Sequence, residues 1–427
     1  MRTPPRIPRP SSNRASSRRG PSWPRTPSAL VLAGCLVAWL AGCGAPESGN
    51  GSAAEPAPAD VRTPSRPVTL NIVDVAGNLQ LTQQIFENYK ARNPKLVSRV
   101  TYTKVTAPEL AGKVKAQQDA GRLDIDLVLT GTDGLSAGLE QNLWVDLLGK
   151  YSGRLPDLTA LYQEPAAKMQ ELAKGKGVTV TYYPSGPLLE YNPKTVPNPP
   201  RTAEALLSWA KANPKKLMYA RPANSGPGRT WLMGLPYILK DSDPMDPVDG
   251  WSKTWAYLKE LDKYVEYYPT GTSQTMKELG EGSRDIILTT TGWDINPRVL
   301  GQVPKDIRTG ALDGFTWVTD AHYMVVPKGV SGEKLAVLTD LMKFALTPQQ
   351  QAITYDKGYF YPGPAVKGVT LDMAPAESRQ VVREYGRPEY DALIAGNPKA
   401  PPLDAKAMVA AFDRWDREIG GRKVKKS

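Results

Sequence analysis

The stretch VTLNIVDVAGNLQLTQQIFENY, Val68–Tyr89, decides the fold class. Val68 to Val73 is rich in strand-forming residues, and Asp74-Val75-Ala76-Gly77-Asn78 reads as a loop. Leu81, Ile85 and Tyr89 then recur every four residues, which lines one face of a helix. Working outward, Val97–Lys104 reads as the next strand. Thr106-Ala107-Pro108-Glu109 is a capping box with proline in the first turn, where its missing N–H costs nothing. Asp126–Leu129 is a short apolar strand that runs into Thr130-Gly131-Thr132-Asp133-Gly134 and a further helix. Strands separated by helices of about 10–15 residues predict βαβ units and a mostly parallel sheet.

The alternation resumes in the middle of the chain. Trp251, Trp255 and Leu258 line a helix, Asp285–Leu288 forms a strand, and Leu335, Leu338 and Met342 line a later helix. Met408, Phe412, Trp415 and Ile419, at helical spacing, predict a final amphipathic helix. These Trp and Met residues are read as core. No internal repeat and no later apolar run long enough to cross a membrane is present.

The first 42 residues carry seven arginines, no lysine and no acidic residue, and the apolar stretch Ala29–Leu40 leads to Ala41-Gly42-Cys43. That is a basic n-region, a short h-region and a small-residue cleavage site, and it is shorter than the roughly 20 apolar residues of a spanning helix. Leu40-Ala41-Gly42-Cys43 resembles a bacterial lipobox, which implies removal of residues 1–42 and acylation of Cys43. A second copy of these letters ends at Cys35, but only about six apolar residues precede it, just under the minimum h-region. Ser17-Arg18-Arg19 hints at twin-arginine export, although Pro21 stands where an apolar residue is wanted.

Cys35 and Cys43 are the two cysteines, so an acylated Cys43 leaves no thiol for disulfide, soft-metal or nucleophilic chemistry. The formal charge of +11 falls to +4 beyond the leader, and a nucleic-acid reading built on charge falls with it. The single histidine, His322, makes neither a His-based zinc site nor a Ser-His-Asp triad easy to assemble, and no metal or cofactor is expected. Residues 43–66, rich in Gly, Ser, Ala and Pro, read as a disordered tether. The residues beyond 42 are too many for one core and suit two domains.

Five segments in order resemble the type II periplasmic solute-binding superfamily, in particular the polyamine, thiamine and iron branch and its sugar-binding cousins. Tyr183-Pro-Ser-Gly-Pro-Leu-Leu-Glu-Tyr-Asn-Pro193 resembles the first crossover between lobes, and Pro200–Pro214 resembles the "P.T..ELL.WAK..P" stretch with Ala205 in place of the usual glutamate. Arg284–Trp293 matches the strand and loop that bring a ligand-contacting residue to the cleft. Asp320–Gly329 resembles the second crossover, and Phe344–Gln351 the "F.LTPE.QA" helix.

The resemblance implies two α/β lobes, each a mostly parallel sheet flanked by helices, that close on a ligand about hinge crossovers. The first lobe is expected at 67–184 with 322–346, the second at 185–321 with 347–420, and 421–427 is left as a basic tail. The implied role is a non-catalytic, monomeric, lipid-anchored receptor outside the cytoplasmic membrane. It would take up a small polar molecule, polyamine- or thiamine-like or a sugar, and hand it to the permease of an ABC importer.

Ligands of open α/β sheets sit beyond the carboxyl ends of the strands. The expected ligand-binding residues are therefore Asp74, Asn78, Asp133, Ser225, Arg229, Thr291, Trp293, Asp294, Trp317 and Asp320. Trp293 leads, because an indole face stacks on a sugar ring, a heterocycle or an ammonium group. The aspartates favour a cationic or hydroxylated ligand, and Arg229, in the turn ahead of a helix expected from about Thr230, favours an anion. The loop that in ferric binders of this superfamily carries a Tyr-Tyr pair holds Gly292-Trp293, which demotes iron. His322 is read as a hinge or packing residue. Two alternatives stay open: an extracytoplasmic hydrolase using Asp74, Asp133 or Asp294 as acid and base, and a ligand-sensing partner of a membrane receptor.

Overall fold

The computed structural model describes residues 53–75 and 77–425. The expected leader, both cysteines and the first part of the expected tether lie outside the described residues.

The chain forms β1 (Val68–Asp74), β2 (Val97–Lys104), β3 (Leu127–Thr130), β4 (Gly177–Gly186), β5 (Leu188–Tyr191), β6 (Leu217–Met218), β7 (Tyr268–Pro269), β8 (Ile286–Thr289), β9 (Arg308–Gly310), β10 (Trp317–Val325), β11 (Gly363–Pro364), β12 (Lys399–Ala400) and β13 (Val424–Lys425). One sheet runs in the order β11-β4-β10-β3-β1-β2, with β12 on the end of β10. A second has the order β6-β8-β5-β9. Each is the floor of one lobe.

Between the strands lie the helices that the periodicity predicts. Leu79–Arg92 buries Leu81, Ile85 and Tyr89, and Gly332–Ala345 buries Leu335, Leu338 and Met342. Both pack into one core with β1, β3 and the amino-terminal half of β4. Trp231, Trp255, Leu258, Met408 and Trp415 build the other core against β5, β6 and β8.

The sheets are mixed, not mostly parallel. β2 and β3 flank β1 in parallel, but β10 runs antiparallel to both β3 and β4, and β5 runs antiparallel to β8 and β9. The reason lies in the two crossovers. β4 leaves the first lobe and continues directly into β5 of the second, β10 returns, and the two pair along nearly their whole length, from Val318 beside Gly186 to Val325 beside Gly177. An outgoing and a returning strand side by side must be antiparallel.

Three expected boundaries shift. From Ala53 onward the presumed tether is packed: Val61 is in the first core, Tyr151 donates to the carbonyl of Pro56, and Glu55 lies 2.8 Å from Lys150. Apolar and hydrogen-bonding partners on the lobe supply what the segment's composition lacks. Ala365 and Val366 also belong to the first core, because Gln351 holds their backbone N–H groups, so the chain does not change lobes at 347. At the carboxyl end Val424 and Lys425 pair with Tyr268 and Pro269, and Lys423 lies 3.0 Å from Asp262, so 421–425 is not a free tail.

No helix among the described residues is long and apolar enough to cross a membrane.

Candidate functional site

The carboxyl ends of β1, β2 and β3 in one lobe face the end of β8 and the amino terminus of the helix Gly226–Ile238 in the other. They enclose a cleft of about 430 Å³, within the usual size range of small-molecule sites. Asp74 ends β1 and turns the chain into the next helix: its Oδ1 accepts from the backbone N–H of Asn78 at 2.8 Å and of Leu79 at 3.4 Å. Burial raises its pKa, opposed by those N–H donors and then by the charge of Lys104. Its neighbour Gly77 has φ +73°, and a Cβ there would sit 2.4 Å from Tyr359 Oη. Glycine thus lets the loop close onto that ring.

Against that loop stands an aromatic wall. Trp293 and Tyr359 meet edge to face with centroids 5.2 Å apart, Tyr359 touches Phe360 at 4.3 Å, and Phe360 stacks on Tyr183 at 4.4 Å. Gly292 aims Trp293: at φ +87°, a Cβ would collide with the carbonyl of Gly358 at 2.4 Å. His322 joins the wall with its ring 4.6 Å from Phe360. Burial pulls its pKa down to about 4; Asp320 opposes that shift and Arg229 adds to it, so the imidazole is neutral at physiological pH.

At the deep end lies Arg229, 4% exposed at its side chain. Nη1 is 2.8 Å from Asp133 Oδ2, and Nη2 is 2.5 Å from Asp320 Oδ2. Asp320 also accepts from Tyr183 Oη at 3.0 Å and from Thr132 Oγ1 at 3.1 Å. The guanidinium comes from the second lobe, Asp133 and Thr132 from the first, and Asp320 and Tyr183 from the crossovers. One cluster therefore spans the hinge.

Four residues that line this cleft carry a buried side-chain atom with no hydrogen-bond partner: Arg229 Nη1, Thr290 Oγ1, Trp293 Nε1 and His322 Nδ1. A buried polar atom left without a partner costs about 1–3 kcal/mol.

Of the ten residues expected to bind ligand, Asp74, Asp133, Ser225, Arg229 and Trp293 line the cleft. The other five lie elsewhere. Asp294 is fully buried beneath Trp293, where it accepts from Arg387 Nε at 2.7 Å and Tyr390 Oη at 2.5 Å and lies 3.4 Å from Arg298. Trp317 packs edge-on against Phe315 and donates to the carbonyl of Leu393 at 3.2 Å, in the core. Thr291 accepts from the Ser185 N–H, tying the loop to the crossover, and Asn78 accepts from Thr82 within its own helix turn. Asp320 sits behind Arg229.

Ser225 serves as helix cap as well as lining residue. Its Oγ accepts from Gly228 N at 3.1 Å, so the helix starts at Gly226, not near Thr230. The three aspartates of the hydrolase alternative do not meet as an acid–base pair: Asp133 is engaged with Arg229, Asp294 with two arginines, and Asp74 stands alone.

Lining residues missing from the expectation include Lys104, Thr106 and Glu109, Tyr359 with Phe360, and His322, which the sequence reads as a hinge or packing residue. The first three lie at or just beyond the end of β2, so the strand-end rule applied to every strand would have reached them. Tyr359 and Phe360 carry no local signal.

Two lobes joined by crossover strands, with a polar cleft between their strand ends, define a cleft-type ligand receptor. The chain belongs to the bacterial extracellular solute-binding protein family, whose profile matches residues 84–381. Among curated protein sequences no match was found.

Solved structures share the fold at low identity. A periplasmic thiamin binding protein is 14% identical, with 84% of this chain and 99% of that one covered at a TM-score of 0.58. The periplasmic binding protein AfuA from Actinobacillus pleuropneumoniae, with fructose-6-phosphate bound, is 15% identical over 82% and 98% at 0.58. The spermidine/putrescine ABC transporter substrate-binding protein PotD from Streptococcus pneumoniae is 14% identical over 81% and 99% at 0.51.

Proposed function

We propose that this solute-binding protein captures a small organic cation between its lobes and delivers it to the permease of an ABC importer, held at the outer face of the membrane as a monomer by an acylated Cys43. The observation that carries the ligand-binding reading is the cleft itself, which opens between the strand ends of the two lobes and is lined by Asp74, Asp133, Trp293 and Tyr359. Cationic character is supported by Asp74, which lacks a close cation partner, beside the aromatic faces of Trp293 and Tyr359. Arg229 offers an anion little, since the two carboxylates within ion-pair distance outweigh its charge. Polyamine- and thiamine-like molecules fit this description. ABC delivery is supported by analogy with the transporter proteins that share the fold.

Binding and closure form one linked equilibrium, because a guest that touches both lobes stabilises the closed form by its differential affinity. Native mass spectrometry of gently purified protein should detect a small molecule, and its removal and return should change tryptophan emission through Trp293. The reading fails if no molecule is retained and a panel of polyamines, thiamine, sugars and amino acids moves neither fluorescence nor melting temperature. For the anchor, Cys43→Ser should move the protein from the membrane fraction to the soluble one.

A further inference from the structure

The segment that leads toward β1 is fastened to the first lobe from Ala53 to Val61, although its composition offers little to fasten with. The carbonyl of Ala54 accepts from the N–H of Gly329 at 3.2 Å, that of Pro56 from Tyr151 Oη and that of Val61 from Arg154. Glu55 has a side chain only 7% exposed, with one carboxylate oxygen 2.8 Å from Lys150 Nζ and the other 3.7 Å from Lys328 Nζ. Val61 is buried in the first core. Gly332 makes room for the segment: a Cβ there would lie 2.2 Å from the carbonyl oxygen of Asp60, so glycine is what lets the two backbones pass. A passive linker needs none of these fastenings.

Their place on the lobe gives them a consequence. β1 starts at Val68 and ends at the cleft residue Asp74, so its start lies about 20 Å from the cleft at roughly 3.3 Å per residue. Gly329 follows Val325, the end of β10, which pairs with Val128 near the start of β3, and β3 also runs toward the cleft. The segment therefore joins the first lobe at the pole opposite the cleft.

We infer that Ala53–Val61 is a strap that sets the point at which a membrane anchor holds the protein, keeping the far pole of the first lobe toward the lipid surface and the second lobe outermost. The inference rests on acylation of Cys43 and deepens that reading. Ten residues separate Cys43 from Ala53, and they span at most about 35 Å. Were the chain held only from Val68, the 25 residues back to Cys43 would reach about 85 Å, enough for either lobe to face the lipid. With the strap in place, closure is a movement of the second lobe onto a first lobe kept at the membrane.

The test uses the full acylated protein in vesicles of phosphatidylethanolamine and phosphatidylglycerol that carry an acceptor dye on a lipid. Cys35 and Cys43 fall in the expected leader and at the anchor, so a donor dye on one introduced cysteine has a unique address. Lys95→Cys, exposed just before β2, marks the far pole of the first lobe, and Glu281→Cys, exposed before β8, marks that of the second. Energy transfer to the lipid should be about twofold or more stronger from position 95, as the roughly 35 Å reach requires. Glu55→Lys combined with Val61→Ser should release the strap: exchange of the Gly329 amide quickens, the β1 amides stay protected, and the difference between the two positions disappears. Glu55→Lys alone, which leaves the core untouched, should reduce that difference in part.

Equal transfer from the two positions in the wild type, or stronger transfer from position 281, overturns the inference and leaves the anchor standing. So does a difference that survives release of the strap. A protein that does not associate with the vesicles, or a Cys43→Ser variant that stays with them, overturns the anchor reading and the role of the strap together.

Discussion

Two buried arginine–aspartate clusters lie near the cleft, and they differ in what they join. Arg229 with Asp133 and Asp320 ties the first lobe, the second lobe and the crossovers together, and two of its members line the cavity. Asp294 with Arg298, Arg387 and Tyr390 joins only elements around the second sheet, and none of its members reaches the cavity. Residue types and burial are nearly alike in the two. The difference teaches that a buried ion pair says nothing of function until the elements it connects are known: the same chemistry holds one lobe rigid in one place and couples two lobes in the other.

The comparison breaks most visibly at Asp294. Asp294→Ala leaves two buried guanidinium groups and a tyrosine hydroxyl unmatched, and should cost about 3–5 kcal/mol in urea unfolding, as for other broken buried pairs. Asp133→Asn should cost less, about 1–3 kcal/mol, because Asp320 still faces Arg229. Its distinguishing effect is on shape: the radius of gyration of ligand-free protein in X-ray scattering should rise as the lobes part, whereas Asp294 variants that remain folded should keep the wild-type radius. Equal radii in Asp133→Asn and wild type would remove the interlobe role.

A third contrast comes from pH. Glu190 lies in the sheet next to the Asp294 cluster, and burial first, then the charge of Asp294, push its carboxyl up to about 8. Between the ordinary value of 4.5 and that point the folded chain holds a proton the unfolded chain has released. Stability is then fullest below that window and falls as pH rises through it, by at most about 1.4 kcal/mol per pH unit. Glu190→Gln should flatten the curve, with thermal denaturation followed across neutral pH as the check. The smallest effect is expected at Trp293→Phe, about 0.5 kcal/mol in stability, since the ring is only partly buried; the ligand-linked fluorescence change should largely vanish with it.

Much of the fold was legible because it is local. The helix that carries Leu81, Ile85 and Tyr89, the capping box at Thr106–Glu109 and the strand Val97–Lys104 all rest on the spacing of neighbouring residues, and each stands where its period puts it. The antiparallel pairing of the crossovers was not legible, since Val318 and Gly186 meet across more than a hundred residues. Half of the residues expected at the site line the cleft for the same reason: strand ends are local signals, and ligand sites gather there. Side-chain direction within a loop is not local. Trp293 and Asp294 are adjacent, yet one faces the cleft and the other the core, because Arg387 and Tyr390 arrive from nearly a hundred residues away to claim the aspartate.

By itself the sequence determined an α/β chain of two lobes, along with the strand ends at which a ligand site had to be sought. Period and composition are sums over neighbours, and neighbours are what a sequence lists. Only the tertiary structure decided that Arg229 meets two carboxylates, that Asp74 and Asp133 line the cleft, and that Tyr359 and Phe360 complete the aromatic wall. Charge balance and burial in a cavity depend on which distant groups share a few cubic ångströms, and chain folding alone brings them together.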